Sequence, residues 1–240
     1  MRLDKFIGKS TALNATQASE CIAAGLVRVN GEVTVQARTQ VHENNLITLR
    51  GQPLTARPFR YLLLHKPAGT VCSNIDEAYP SVFNALGIAD SAELHIAGRL
   101  DADTTGLILA TDDGRWSFNI IRPNQLCPKV YRVTLRDAVS ADLAKIFAAG
   151  LLLQGETSKT LPAELHVLSP REVRLTITEG RYHQVKRMFA AVGNRVESLH
   201  REQVGGVELD IPMGHWRELT AEEIAPWKST SENSGNTSCT

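Results

Sequence analysis

GRLDADTTG, residues 98–106, leads directly into the apolar run LILA, residues 107–110. Two aspartates and an arginine lie within five residues of one another, with a glycine on each side. An apolar run of this kind predicts a buried strand, and the polar segment beside it, with a glycine at each end, predicts a sharp turn. Catalytic and binding residues commonly lie on such loops. We therefore interpret residues 98–110 as the segment against which the rest of the chain positions a substrate.

Three alternatives compete for this segment. In the first, Asp101 and Asp103 are turn residues and Arg99 is their ion-pair partner. The second is a calcium loop, but its last ligand should be a bidentate glutamate, and the corresponding residue is Asp112. In the third, the D-x-D-x-T pattern that ends at Thr105 belongs to an aspartyl-phosphate enzyme, although its nucleophile should follow an uninterrupted buried strand. This enzyme, which requires Mg²⁺, is the main alternative to the interpretation that follows.

Four motifs, in order along the chain, resemble those of the pseudouridine synthases, in the branch that modifies small-subunit ribosomal RNA. GRLD followed by TTGL resembles the catalytic motif. The other three are MRLDKF at residues 1–6, KP at residues 66–67 and EGRYHQVKRM at residues 179–188. One motif could arise by chance, but four in the right order support the resemblance.

The resemblance implies an α+β chain. A small N-terminal S4-like RNA-binding domain is followed by a mixed, mainly antiparallel-sheet pseudouridine synthase domain. The implied reaction isomerises one uridine of small-subunit (16S) ribosomal RNA, flipped into the site, to pseudouridine. Asp101 would be the nucleophile or base, and attack on C1′, addition to C6 and removal of the C2′ proton all stay open. Residues 129–135 alternate as a half-buried strand does, which predicts Tyr131 on its apolar face. The resemblance implies that Tyr131, in the K-x-Y motif that begins at Lys129, lies against the target uracil, and that a basic residue of the 179–188 motif contacts Asp101.

Helical geometry indicates which basic residue of this motif contacts Asp101. Four apolar residues in and just after the 179–188 motif recur at helical spacing and form one stripe: Val185, Met188, Phe189 and Val192. At roughly 100° per residue, Lys186 lies on the flank of this stripe, and Arg187 lies nearly opposite it. A flank position lets an ammonium reach inward while its stem packs on apolar neighbours. We therefore predict that Lys186 pairs with Asp101 and that Arg187 is a phosphate ligand or solvated.

Other basic residues are candidates for contacts with RNA, because phosphate binding is local even in a chain whose formal net charge is zero. Basic residues outnumber acidic ones in residues 1–57 and again in residues 181–201. The predicted substrate-binding residues are Arg99, Lys129, Arg181, Arg187, Arg2 and Lys5.

Residues 1–57 form the predicted S4-like domain. Two short helices are expected, the second capped by Asn14 and Gln17, and Asn30-Gly31 is a strong signal for a β-hairpin. One departure from the family matters: Asn14-Ala15 replaces a Ser-Arg pair, so an arginine that would face RNA is missing. Glycine and prolines punctuate residues 50–59, and the catalytic domain is expected at 58–228, with a disordered tail at 229–240.

The predicted environment follows from composition. The opening residues lack the apolar stretch of a secretory signal, and the four cysteines are scattered without a C-x-x-C pair, so we expect a cytoplasmic protein with reduced thiols and no zinc site. No membrane partner is expected, and the protein should act as a monomer on ribosomal RNA or an assembling ribonucleoprotein. The implied reaction neither gains nor loses atoms, so we expect no cofactor and no metal. The non-enzymatic alternative is an assembly factor that kept the fold without the activity.

Overall fold

The computed structural model describes residues 1–42 and 44–228. The predicted tail at 229–240 lies outside the described residues. The chain divides between Phe59 and Arg60 into two compact units, close to the predicted domain boundary at 57. No helix in the described ranges is long and apolar enough to cross a membrane.

The first unit contains two helices and an antiparallel sheet with the strand order β2-β1-β3-β4. Asn14 and Gln17 form the predicted capping box, and Asn30 and Gly31 both have positive φ in the predicted hairpin. The elements are α1 (Leu3–Ser10), α2 (Ala15–Ala23), β1 (Val27–Val29), β2 (Glu32–Val33), β3 (Ile47–Leu49) and β4 (Gln52–Pro53).

The described part of the second unit is built on a nine-stranded sheet. Seven of its strands follow the order β13-β5-β7-β11-β8-β10-β9, and the other two, β6 and β12, pair with β7 and β11. Its strands are β5 (Tyr61–Lys66), β6 (His95–Ile96), β7 (Thr105–Thr111), β8 (Lys129–Leu135), β9 (Glu164–Ser169), β10 (Glu172–Ile177), β11 (Val196–Val204), β12 (Val207–Glu208) and β13 (Trp216–Glu218). The pairing of β7 with β11 is parallel, and the other pairings are antiparallel. The predicted mixed, mainly antiparallel α+β architecture is confirmed.

Helices cover this sheet. They are α3 (Val82–Ala85), α4 (Gly114–Ile121), α5 (Leu143–Ala148), α6 (Gln184–Ala191) and α7 (Ala221–Ile224). The side chains of Ser81, Asp113 and Thr220 cap the N-termini of α3, α4 and α7. Helix α5 begins at Leu143, and the Val139 N–H before it donates to the Pro170 carbonyl, which ties the preceding segment to the β9–β10 hairpin.

Strand β7 shows why the LILA run is apolar throughout. It lies in the middle of the sheet, between β5 and β11, and its residues 107–110 are completely buried. Ile108 and Ala110 belong to the core cluster on one face, whereas Leu107 and Leu109 belong to the cluster on the other. A central strand with both faces covered has no position for a polar side chain, so the catalytic-motif candidate is anchored in the core.

Candidate active site

The loop that carries Asp101 is fixed by Lys66, the last residue of β5. The side chain of Lys66 is fully buried, and its Nζ donates hydrogen bonds to the carbonyls of Ala102 (3.2 Å) and Thr104 (2.8 Å). Burial lowers the pKa of Lys66, and the negative groups nearby oppose this shift only in part. The lysine of the KP motif therefore holds the backbone of the loop on both sides of Asp103.

A second buried cation, Arg201 of β11, binds the backbone at both ends of the stretch that contains this loop. Arg201 is 1% exposed; its Nε donates to the Leu107 carbonyl and its Nη2 to the Gly98 carbonyl, both at 2.8 Å. Arg201 is not among the site residues predicted from the sequence. The available signal was its spacing two residues after Leu199, which places a charge at a position on the apolar face of a strand.

Gly106 allows β7 and β11 to approach at this point. It pairs with Arg201 in the parallel register, and its φ is +114°. A Cβ atom at Gly106 would lie 2.3 Å from the Arg201 carbonyl oxygen. The second glycine of the GRLDADTTG stretch is therefore required by close packing of two backbones, as well as by its dihedral angle.

Asp101 receives a cation and an imidazole from the segment around the start of α6. Lys186 Nζ lies 2.9 Å from Asp101 Oδ2, and His183 Nε2 lies 3.3 Å from Asp101 Oδ1. The contact predicted between Lys186 and Asp101 is present. His183 was not ranked by sequence reasoning, because its position just before the helix fits a surface residue equally well.

Lys186 also contacts Asp103, whose carboxylate Oδ1 lies 2.7 Å from Nζ. Burial on its own would lower the pKa of Lys186, but the hydrogen bonds to Asp103 and Asp101 outweigh it and raise the pKa above its usual value. The hydrogen bond from Lys186 in turn lowers the pKa of Asp103, whose side chain is 73% exposed. At neutral pH the site therefore holds a charged ammonium between the carboxylates of Asp101 and Asp103.

A cavity of about 770 Å³ opens beside Asp101. The apolar part of its wall is formed by the buried Tyr131 of β8 and by the aliphatic side chains of Ile96, Ile177 and Leu199. Lys186 contributes a positive charge to the wall. The cavity is large enough for a nucleotide-sized ligand. Tyr131 lies where the alternation of strand 129–135 predicts, on the face that turns toward the core and the cavity.

Two of the predicted RNA ligands face inward instead. Arg187 Nη1 lies 3.0 Å from Glu156 Oε1, and its guanidinium also donates to the Gln154 and Tyr182 carbonyls. Arg181 binds Glu179, Glu156 and two carbonyls of the same loop. Arg187, predicted to be a phosphate ligand or solvated, is only partly exposed, because the loop around Glu156 covers its side of the helix. Its role as a phosphate ligand stays a prediction.

The remaining predicted ligands differ in their availability. Arg99 is exposed and lines the cavity. Lys129 lines it too, but its Nζ donates to the Cys127 carbonyl, and burial lowers the pKa of Lys129. In the first unit, Arg2 pairs with Asp4, and Lys5 is exposed.

Within residues 1–42 and 44–228, no group of three or more His, Cys, Asp or Glu side chains is placed to hold a metal ion. The groups that line the cavity include a carboxylate, cations and a tyrosine. A carboxylate paired with an ammonium at the wall of a partly apolar, partly cationic cavity is the arrangement that nucleophilic or base catalysis requires.

Comparison with known proteins identifies which enzyme class this is. Residues 60–191 match the family described as RNA pseudouridylate synthase. The chain is 48% identical over 228 residues to "Ribosomal small subunit pseudouridine synthase A" of Escherichia coli (strain K12), covering 94% of this chain and 99% of the relative. It is 47% identical over 228 residues to the protein of the same name from Pasteurella multocida (strain Pm70), covering 94% and 98% of the two chains.

A solved structure agrees with these sequence relationships. A protein described as "Crystal structure of pseudouridylate synthase" matches with a TM-score of 0.68 at 45% identity, over 93% of this chain and 98% of its own. The chain belongs to the RNA pseudouridylate synthase family, whose members isomerise uridine in RNA. Membership favours the interpretation of residues 98–110 as a pseudouridine synthase motif over the turn, the calcium loop and the aspartyl-phosphate enzyme.

Proposed function

We propose that the protein converts one specific uridine of small-subunit ribosomal RNA to pseudouridine, with Asp101 as the reacting group. The observation that carries this proposal is the pairing of Asp101 with Lys186 at the wall of a nucleotide-sized cavity that Tyr131 also lines. The RNA substrate is inferred from relatives at 47–48% identity that are named for the ribosomal small subunit.

The reaction exchanges one glycosidic bond for another. The N1–C1′ bond breaks, the uracil turns, and a C5–C1′ bond forms, while C5 loses a proton and N1 gains one. Asp101 serves this sequence by attacking C1′, by adding to C6 or by removing the C2′ proton. Each of these requires an ionised carboxylate, and the Lys186 ammonium lies 2.9 Å from it as its charge partner.

The target nucleotide must leave any base stack to reach Asp101, because both C1′ and the base edge take part in the reaction. Tyr131 is buried at the cavity wall and supplies an aromatic surface for a flipped uracil. Its phenol is also suited to proton transfer between C5 and N1. Arg99, which is exposed at the cavity, and Lys129 are the cations that we assign to the phosphates flanking this nucleotide.

The first unit is proposed to be an S4-like RNA-binding domain. Its two helices and hairpin follow the predicted pattern, and Lys5 is exposed on α1. Arg2 is paired with Asp4, so its contribution to phosphate binding requires that pair to open. With Asn14-Ala15 in place of the Ser-Arg pair expected from the family, this domain should contribute a modest share of the affinity for RNA.

The test is turnover of unmodified small-subunit RNA, followed by chemical mapping of pseudouridine. One modified position with the wild-type protein and none with Asp101→Asn supports the proposal. RNA binding without modification by the wild-type protein would instead support the assembly-factor alternative. If the protein modified only another RNA, the proposed substrate would be wrong, whereas the proposed reaction would stand.

A further inference from the structure

Tyr182 and His183 form a stacked pair in the wall of the cavity, and the proposed chemistry leaves both unused. Their ring centroids lie 3.7 Å apart, with 24° between the planes. Tyr182 is nevertheless 76% exposed. One face of its ring is thus held against the imidazole, and the other is open to a ligand.

The backbone that carries this pair is fixed on both sides. His183 adopts a left-handed conformation, with φ of 48°, which is uncommon for a residue other than glycine. The Tyr182 carbonyl accepts a hydrogen bond from Arg187 (3.0 Å), and Arg181 donates to the carbonyls of Ser158 and Lys159. Because the segment is already ordered, a ligand that binds the open face of Tyr182 loses little free energy to ordering of the protein.

The pair also connects the solvent end of the cavity with the reacting group. His183 Nε2 is 3.3 Å from Asp101, whereas Tyr182 extends into solvent. Tyr131, the aromatic residue proposed for the target uracil, is buried in the same cavity. The two tyrosines therefore lie at different depths of the cavity, one buried and one exposed, which suits two stacked bases rather than one.

We infer that Tyr182, supported by His183, is the stacking platform for the base of a nucleotide adjacent to the target uridine. This inference rests on the proposed function. Aromatic side chains bind single-stranded RNA by stacking on bases, and such stacking tolerates any base because every base has a π-face. The exposed Arg99 in the same cavity wall supplies a positive charge for the backbone that joins the two nucleotides.

The experiment measures the affinity of an RNA fragment that carries the mapped uridine. Stacking on one base corresponds to a loss of roughly 5- to 150-fold in affinity when the aromatic ring is removed, so Tyr182→Ala should weaken binding within that range. Tyr182→Phe should bind as the wild type does, and Tyr182→Leu should resemble Tyr182→Ala. Tyr79→Ala is the matched control, because Tyr79 is also exposed (48%) but lies in the loop before α3.

An RNA fragment with an abasic nucleotide beside the target uridine tests whether Tyr182 stacks on that neighbouring base. Removing the base on one side of the target uridine should weaken wild-type binding and abolish the difference between the wild type and Tyr182→Ala. Equal affinities of these two proteins for the intact fragment would overturn the platform, as would full rescue by Tyr182→Leu or an unchanged difference with either neighbouring base removed. Pseudouridine formation by the wild type on the same fragment separates the two proposals: normal turnover with a failed stacking test contradicts only the platform, and no turnover contradicts both.

Discussion

Lys186 Nζ lies 2.9 Å from Asp101 Oδ2, although the two residues are 85 positions apart in the chain. The contact joins the first turn of α6 to the loop that precedes β7, so it forms only when the sheet is assembled. The same ammonium lies 2.7 Å from Asp103. One cation thus holds two carboxylates, and its removal should affect them differently because only Asp101 lines the cavity.

Asp101→Asn should abolish isomerisation, with a rate loss of roughly 10⁴-fold or more, because an amide is neither a nucleophile nor a base. Asp103→Asn should cost far less, since Asp103 is 73% exposed and acts through Lys186. Single-turnover rates and RNA affinities of both variants check this. If Asp103→Asn were the inactive variant, the assignment of the reacting carboxylate would be wrong.

Lys186→Met should lower the single-turnover rate at saturating RNA by roughly 10²- to 10³-fold, as expected for the loss of one charge-stabilising donor. Lys186→Arg should keep a substantial part of the rate, because it preserves the charge. The raised pKa of Lys186 gives the sign of the pH dependence. Its stabilising contribution is fully present below the unfolded pKa of 10.5 and is lost only as pH rises through the higher folded value.

The wild-type rate should therefore show no loss attributable to Lys186 between pH 6 and about 10. Rates measured across this range for the wild type and Lys186→Arg provide the check. A decline in wild-type activity near pH 8 that is absent in Lys186→Arg would show that the lysine titrates lower than its contacts imply.

Gly106→Ala should destabilise the protein by about 3 kcal/mol or more, because the new Cβ meets the Arg201 backbone and the residue keeps a positive φ. Gly114→Ala is the matched control: it begins α4, and a Cβ there meets nothing within 4 Å. We expect it to be neutral or slightly stabilising. Urea unfolding of the two variants decides the matter, and similar stabilities would refute the packing argument.

Arg187→Met should lower stability by about 1–3 kcal/mol, since its guanidinium binds Glu156 and two carbonyls. Glu156→Gln should couple to it in a double-mutant cycle. The cycle is measured by denaturant unfolding, with RNA affinity recorded in parallel. Additive effects on stability, together with a large loss of RNA affinity in Arg187→Met alone, would restore the phosphate-ligand interpretation.

Deletion of residues 1–59 should weaken RNA binding more than it harms folding of the remaining chain, because the two units are separately compact. Phosphate contacts release counterions, so the affinity of the full chain should fall more steeply with salt than that of the truncated chain. Binding titrations at several salt concentrations measure both slopes. Equal slopes would remove the RNA-binding role proposed for the first unit.

Local patterns in the sequence determined much of this protein. The Asn14–Gln17 capping box, the Asn30-Gly31 hairpin and the strand at 129–135 follow from side-chain chemistry over a few residues, and the structure contains all three. The α6 stripe also placed Lys186 on the flank from which it reaches Asp101. In each case the deciding interactions join residues that are neighbours in the chain or lie on one face of one element.

The tertiary structure alone decided what covers each face. The sequence left Arg187 as either a phosphate ligand or a solvated residue, because helical periodicity reports only the direction of a side chain. Its partner Glu156 comes from a loop 31 residues earlier. Arg201 is buried because the carbonyls of Leu107 and Gly98 meet it there, and those carbonyls lie about a hundred residues away along the chain. Contacts of this length form when β7 and β11 pair in parallel, so no local pattern contains them.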